Sequence, residues 1–172
     1  MTYAKSNKTG KSTPNDVVMT NPETAKWIIN YFKPIGICLD PCAGNNAFYN
    51  SMLEPKIRLE ISEGSDFFEF NQNVDWIITN PPFSIYDEFL FHAFKIAKNV
   101  VWFVPLNKAF KSKKIDQAIQ QFGGLKEIVM MGGGGKHGFP FGFPVGCLHY
   151  QKNYVGDIKL TRHYETNACN HS

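Results

Sequence analysis

Several protein classes are excluded by what this sequence does not contain. Its four cysteines, Cys38, Cys42, Cys147 and Cys169, form no Cys-x-x-Cys pair. Their spacing fits neither a zinc site nor a disulfide framework, so no metal is expected. Reduced thiols in a cytoplasm are the simplest expectation. No apolar run approaches the roughly 20 residues of a membrane span. The N-terminus is polar and carries lysines, but no apolar core follows it as in a secretory signal. Charge of one sign is in only slight excess: the net is +3 and the isoelectric point about 8.6. That permits a nucleic-acid partner without requiring one. There is no internal repeat, and no insertion large enough for a separate nucleic-acid-reading domain.

What is present is one domain's worth of chain, 172 residues with 15 phenylalanines, enough to bury a proper core. It is organised around Val74-Asp75-Trp76-Ile77-Ile78 and the Thr79-Asn80-Pro81-Pro82-Phe83 that follows. The first run is apolar but for Asp75 and reads as a buried strand. Two prolines then stop it, because neither can donate to a sheet ladder. In an open parallel α/β sheet, ligands bind beyond the carboxyl ends of the strands. Asn80 offers a carboxamide oxygen there as acceptor. Pro81 has no N–H and can present its carbonyl. Two acceptors side by side suit an exocyclic –NH2, and holding both hydrogens localises the nitrogen lone pair. Phe83 could stack on the ring that carries the amine. Taken alone, the stretch is equally a strand-terminating turn with a capping asparagine.

The residues upstream decide between these. Residues 1–14, rich in Lys, Ser, Thr, Asn and Gly, read as a mobile arm. Thr20-Asn21-Pro22-Glu23 opens a helix: Pro22 suits a first turn, and Thr20 or Asn21 can cap it. Ala25, Ile28, Ile29 and Phe32 recur at helical spacing until Pro34 and Gly36. A short buried strand, Gly36 to Asp40, then runs into Pro41-Cys42-Ala43-Gly44-Asn45-Asn46-Ala47-Phe48. An acid at a strand end, small residues and a helix start make a cradle for a polar ligand. Gly44 lets the backbone approach closely, and the helix start offers free N–H groups. This loop is not the dinucleotide-binding Gly-x-Gly-x-x-Gly and has no phosphate-loop lysine, which disfavours a phosphate-bearing cofactor. Lys56 to Glu60 reads as a second strand. Its acid lies twenty positions after Asp40, about where a doubly wound fold grips ribose hydroxyls. In the next turn Asp66 could accept from an adenine amino group, with Phe67 against the ring. One acid at a strand end is usually just solvated. Three at successive strand ends, before Asn-Pro-Pro-Phe, are a constellation.

The order Asp40-Pro41-x-x-Gly44-x-x-x-Phe48, Glu60, Asp66-Phe67, Asn80-Pro81-Pro82-Phe83 resembles the S-adenosylmethionine-dependent DNA N6-adenine methyltransferases, and the wider amino-methyltransferase group, over about residues 20–110. The resemblance implies S-adenosylmethionine as cofactor. Its methionine end would be held by the loop of Asp40, Pro41, Cys42, Ala43, Gly44 and Phe48, its ribose by Glu60, and its adenine by Asp66 and Phe67. Asn80, Pro81, Pro82 and Phe83 would be the catalytic element, with Asn80 also at the cofactor. Thr20-Asn21-Pro22 is similar to the family's N-terminal cofactor motif, which adds Thr20 to the cofactor set; the usual Thr-Pro is split here by Asn21. Asn46 stands where a second glycine often does. A small phage or bacterial type without a separate target-recognition domain is implied, acting on adenine flipped out of DNA. An RNA adenine methyltransferase would share every motif. A protein glutamine methyltransferase typically has Tyr where Phe83 stands. Against a non-catalytic accessory subunit stand the intact Asn80 and cofactor loop.

Downstream, Tyr86, Phe89, Leu90, Ala93, Phe94 and Ala97 have helical spacing, with His92 off it and expected at the surface. Val100 to Val104 is the next strand, ended by Pro105. Lys108, Lys111, Lys113 and Lys114 face either a phosphate backbone or solvent. Leu125 to Met131 reads as another strand, after which four glycines abolish regular structure. Phe139, Phe141 and Phe143 in so flexible a loop are poor core candidates. Phe139 and Phe141 could instead stack on an extruded base or wedge into a duplex; a folded-back hairpin loop is the alternative. Val145 to Tyr150 then pairs antiparallel as the last strand. The sequence therefore predicts an α/β fold over residues 15–155. Its sheet should be Rossmann-like and doubly wound in the class I methyltransferase manner, seven-stranded and mainly parallel. Residues 156–172 are expected to be a tail.

Overall fold

The computed structural model describes residues 18–163, so the expected arm over 1–14 and the end of the expected tail, 164–172, lie outside the described residues. Among the described residues, seven strands form one sheet. They are β1 (Cys38–Asp40), β2 (Lys56–Arg58), β3 (Val74–Thr79), β4 (Ala97–Pro105), β5 (Gly123–Gly133), β6 (Pro144–Lys152) and β7 (Lys159–Arg162), in the order β2-β1-β3-β4-β6-β5-β7. β6 runs antiparallel to both its neighbours. Every other pairing is parallel. The α/β class, the mainly parallel sheet and the antiparallel strand near residue 145 agree with the sequence reading.

Helices α1 (Pro22–Phe32), α2 (Ala47–Ser51), α3 (Tyr86–Ile96) and α4 (Lys113–Phe122) flank the sheet. Alternation along β4 shows how both faces are covered. Val100, Trp102 and Val104 join a core with Phe89, Leu90 and Ala93 of α3 and Ile115 of α4. Val101 and Phe103 join another with Ala25 and Ile28 of α1 and Phe48 of α2. A strand buried on both faces reads as an unbroken apolar run, which is what Val100 to Val104 is. Ile77 and Ile78 of β3 are likewise fully buried, one toward each core. Truncating either to Ala should cost about 2–5 kcal/mol.

Helix α1 starts as its sequence demands. The Asn21 side chain accepts from the Glu23 N–H at 2.9 Å, and Pro22 occupies the first turn, where a missing N–H costs nothing. Lys33 ends the helix in the left-handed conformation.

Several expectations need correction. No strand lies between β2 and Asp66: the chain between β2 and β3 makes two short 3-10 turns, and Asp66 caps the second. The seventh strand is instead β7, inside the stretch expected to be tail, so β6 is not the last strand. β7 pairs with β5, and its anchor is polar. The Glu127 carboxylate accepts from the hydroxyls of Thr161 and Tyr31 and faces Lys159. The glycine run does not abolish structure, since β5 continues through Gly133, with an irregularity in its pairing to β6. His92 is buried at 8% exposure. Its Nε2–H donates to the Phe70 carbonyl at 2.8 Å. Phe139 is a core residue at 4% exposure, packed against Phe103 with ring centroids 5.2 Å apart.

Candidate active site

β1 and β3 lie side by side with Leu39 opposite Ile77. Their carboxyl ends therefore present Asp40 and Thr79-Asn80 together. The Thr79 hydroxyl donates to Asp40 Oδ1 at 2.7 Å. The thiol of Cys42 lies 3.2 Å from that hydroxyl and donates to the Asn80 carbonyl at 3.3 Å. Burial first, and the neighbouring Asp40 second, hold the Cys42 thiol well above its usual pKa, so it serves as a neutral donor.

Asp40 is buried, and its second oxygen, Oδ2, has no hydrogen-bond partner. Desolvation pushes its pKa up to about 6; the Thr79 hydroxyl and the backbone N–H groups of Cys42 and Tyr49 oppose this, and the charge on Glu60 adds a little to it. A buried carboxylate with an empty acceptor is costly unless a ligand fills it. Glu60 is nearly as buried but well supplied. It accepts from the Gly44 N–H at 2.9 Å and from the Ser62 N–H and hydroxyl. These bonds overcome desolvation and hold its pKa below the usual range. Glu60 thus ties the β1 loop to the end of β2.

In that loop Gly44 has φ +49°, and a side chain there would meet the Met19 sulfur at 3.2 Å. Asn46, at the second glycine position, adopts φ +62°, a conformation Asn tolerates better than most residues. Its Oδ1 is buried without a partner. Pro41 and Ala43 are buried, and Ala43 N–H donates to the Leu59 carbonyl. Phe48 lies in the core. So does Phe67, fully buried, tilted against Phe89 and edge-on to His92, with no face left for a ligand. Asp66 accepts from the Phe68 N–H at 2.8 Å.

Asn80 is held from one side. Its Nδ2 donates to the Val18 carbonyl at 3.3 Å and to the Thr20 hydroxyl oxygen at 3.4 Å. Its Oδ1 is buried with no partner. Phe83 is half-buried, nearly parallel to Phe139 at 6.1 Å, with Lys108 Nζ 5.4 Å from its centroid. Phe141 leans on Phe139, and Phe143 beyond it is 63% exposed. The lysine group is spread out. Lys111 pairs with Asp87 at 2.9 Å, Lys114 lies over Phe91, and Lys113 is exposed at the start of α4.

Thus Asp40, Cys42, Gly44, Glu60, Asn80 and Thr20 come together, whereas Phe48, Phe67 and Phe139 stand behind them as packing. The sequence reading missed Thr79 and Asn45, whose side chains bind Asp40 and the Thr20 carbonyl. Their only signal was adjacency to a candidate. A cavity of about 420 Å³ also opens between α1 and the end of β5, lined by Trp27, Gly132 and His137 among others, but by none of Asp40, Gly44, Glu60 or Asn80. The empty acceptors mark the site better than this cavity does. Among the described residues, no three His, Cys, Asp or Glu gather to hold a metal ion, and no helix is long and apolar enough to cross a membrane.

No family model and no curated protein matches this chain. Solved structures do. One, from Listeria monocytogenes and provisionally assigned as a class I S-adenosylmethionine-dependent methyltransferase, aligns with TM-score 0.64 at 13% identity, over 90% of this chain and 68% of that one. The fold is that of the class I methyltransferases. A type I restriction-modification methyltransferase subunit from Streptococcus thermophilus aligns with TM-score 0.62 at 13% identity, over 88% of this chain and 48% of that one. The chain therefore spans about half the length of that subunit. A protein from Pyrococcus horikoshii, provisionally assigned as an RNA methyltransferase, aligns with TM-score 0.53 at 16% identity, over 76% and 83%.

Proposed function

We propose that this chain transfers a methyl group from S-adenosylmethionine to the exocyclic N6 amine of adenine in DNA, the base being flipped out of its stack. The observation that carries this reading is the buried, unpartnered Oδ1 of Asn80 at a strand end that two prolines close. An amine supplies the donor which that acceptor lacks.

The residues present fit the cofactor. Asp40 Oδ2 and Asn46 Oδ1 are buried acceptors awaiting donors, which suits the ammonium of a methionine moiety. A side chain at Gly44 would reach the Met19 sulfur, so glycine keeps that approach open. Glu60 Oε2, which accepts one bond while Oε1 accepts two, keeps an acceptor site for a ribose hydroxyl, and Asp66 is assigned to the adenine end. When bound, the cofactor supplies an electrophilic methyl group.

The chain then needs mainly to align the amine. Asn80 Oδ1 accepts one amine hydrogen and the Pro81 carbonyl the other, which aims the nitrogen lone pair. Pro82 stiffens the turn. Phe83, backed by Phe139, stacks on the base, and Phe141 extends that aromatic surface. Orientation of this kind contributes much of the acceleration when the methyl donor is already reactive. The surplus proton leaves the methylated nitrogen for water. Lys108, Lys111, Lys113 and Lys114 are proposed to meet the phosphate backbone.

The test is incubation with labelled S-adenosylmethionine and, separately, duplex DNA, single-stranded DNA, RNA and protein, followed by identification of the modified atom. Label at adenine N6 of DNA is expected. Label confined to RNA or to glutamine amide nitrogen would replace the substrate assignment, and no label on any of them would reject the activity.

A further inference from the structure

A carboxamide has two ends of nearly the same size and opposite hydrogen-bonding sense. Rotated by half a turn, Asn80 would meet an incoming amine with its own NH2, donor against donor. Whatever fixes the rotation therefore decides whether the turn can work. Three observations converge on the segment that carries Val18 and Thr20. The Thr20 hydroxyl oxygen accepts from Asn80 Nδ2 at 3.4 Å, beside the Val18 carbonyl at 3.3 Å. A carbonyl can only accept, so only the NH2 end of Asn80 can face this strap. Thr20 itself is buried at 4% exposure, which keeps water from substituting for it.

The strap is held at both flanks. Asn45 Nδ2 of the β1 loop donates to the Thr20 carbonyl at 3.0 Å. On the other side Asn21 N–H donates to the His137 carbonyl at 3.4 Å, and the Thr24 hydroxyl meets His137 Nδ1 at 2.9 Å. Gly138 passes so close that a side chain there would strike the Met19 carbonyl at 2.4 Å. Residues 18–21 are thus pinned between the candidate cofactor loop and the glycine-rich turn, with Thr20 at the centre.

We propose that Thr20 is a positioning residue for Asn80. With the Val18 carbonyl it locks the carboxamide so that Oδ1, and not Nδ2, meets the substrate amine. This differs from the cofactor contact that the sequence implies for Thr20, and it rests on the methyl-transfer reading given above. Because the strap also binds Asn45, the cofactor loop and the amine acceptor are set by one short segment.

The test uses Thr20→Val, which keeps the shape and removes the acceptor, with Thr20→Ser as the control that restores it. Single-turnover methylation should fall about tenfold in Thr20→Val and recover in Thr20→Ser, while S-adenosylmethionine affinity stays within twofold of the parent. Asn80→Ala has no carboxamide to be held and nothing for the Thr20 hydroxyl to bond, so adding Thr20→Val to it should cause no further loss. An equal loss in both backgrounds would mean a merely structural effect and would overturn the proposal. A readout free of activity is the side-chain NH2 resonance pair of Asn80 in 15N-labelled protein, identified by its disappearance in Asn80→Asp. Its hydrogens should exchange with water about tenfold faster in Thr20→Val than in the parent. Unchanged exchange would overturn the positioning role even if methylation were found. Absence of methylation in the parent would instead sink the methyl-transfer reading, and the exchange measurement would still decide what holds Asn80.

Discussion

The Thr79 hydroxyl and the Asp40 carboxylate are joined at 2.7 Å, which couples the end of β3 to the end of β1. The last strand residue before Asn80 thereby supports the acid proposed to meet the cofactor. Thr79→Val keeps the volume but removes the hydroxyl that donates to Asp40 Oδ1. S-adenosylmethionine affinity measured by calorimetry should then fall about 10- to 150-fold, in line with roughly 1.5–3 kcal/mol for a hydrogen bond to a charged group. Unchanged affinity would detach Thr79 from the site.

The raised pKa of Asp40 predicts a trade of stability against binding. Its folded value is about 6, against an ordinary 3.8. The folded protein thus holds this proton more tightly than the unfolded chain does. Ionised Asp40 therefore opposes folding fully above about pH 6, and the penalty fades as pH falls toward 4. At about 1.4 kcal/mol per pH unit, it is on the order of 2–3 kcal/mol. Without ligand, Asp40→Asn should melt higher than the parent at pH 7.5, with the gap closing by pH 4. The same variant should bind S-adenosylmethionine much more weakly at pH 7.5.

His149 has the opposite sign. Burial holds its pKa down to about 4, and it rests against Asn99 at 3.0 Å. Its contribution is complete above pH 6.5 and is lost as pH falls through 4. In His149→Gln, stability should therefore fall less steeply between pH 6.5 and 4 than in the parent. Equal slopes would remove His149 from the account.

The phenylalanines of the loop before β6 should separate by role. Phe139→Ala removes a core ring and should cost about 3–5 kcal/mol of stability. Phe143→Ala removes an exposed ring and should stay within about 0.5 kcal/mol. Denaturant melts of the two variants would show it.

That contrast also marks what the sequence could and could not disclose. α1 and α3 were legible because their apolar spacing is helical, β3 because it is an apolar run that two prolines stop, and the start of α1 because Asn21 caps it. The Asp40, Gly44, Glu60 and Asn80 group was legible because each residue closes a strand or opens a turn. Phe139 was not, since a glycine-rich flank hides the ring contacts with Phe83 and Phe103 that bury it. His92 was missed because its bond to the Phe70 carbonyl is made across 22 positions. β7 was missed because a polar strand tied down by Glu127 and Tyr31 has no hydrophobic period to read. The absence of a strand between β2 and Asp66 follows from Gly64, which turns the chain at φ +86°.

Single-turnover methylation of adenine-containing DNA by Asn80→Ala, compared with the parent, tests the central claim most directly. The variant keeps Pro81, Pro82 and the cofactor loop but has no acceptor for the amine. The rate should fall on the order of 10²–10³-fold, as loss of one preorganised polar partner typically does, while S-adenosylmethionine affinity changes less than threefold. Asn80→Asp should retain partial activity, because a carboxylate still accepts. A variant Asn80→Ala that methylates as fast as the parent would contradict the account and leave Asn80-Pro81-Pro82-Phe83 as no more than the turn that ends β3.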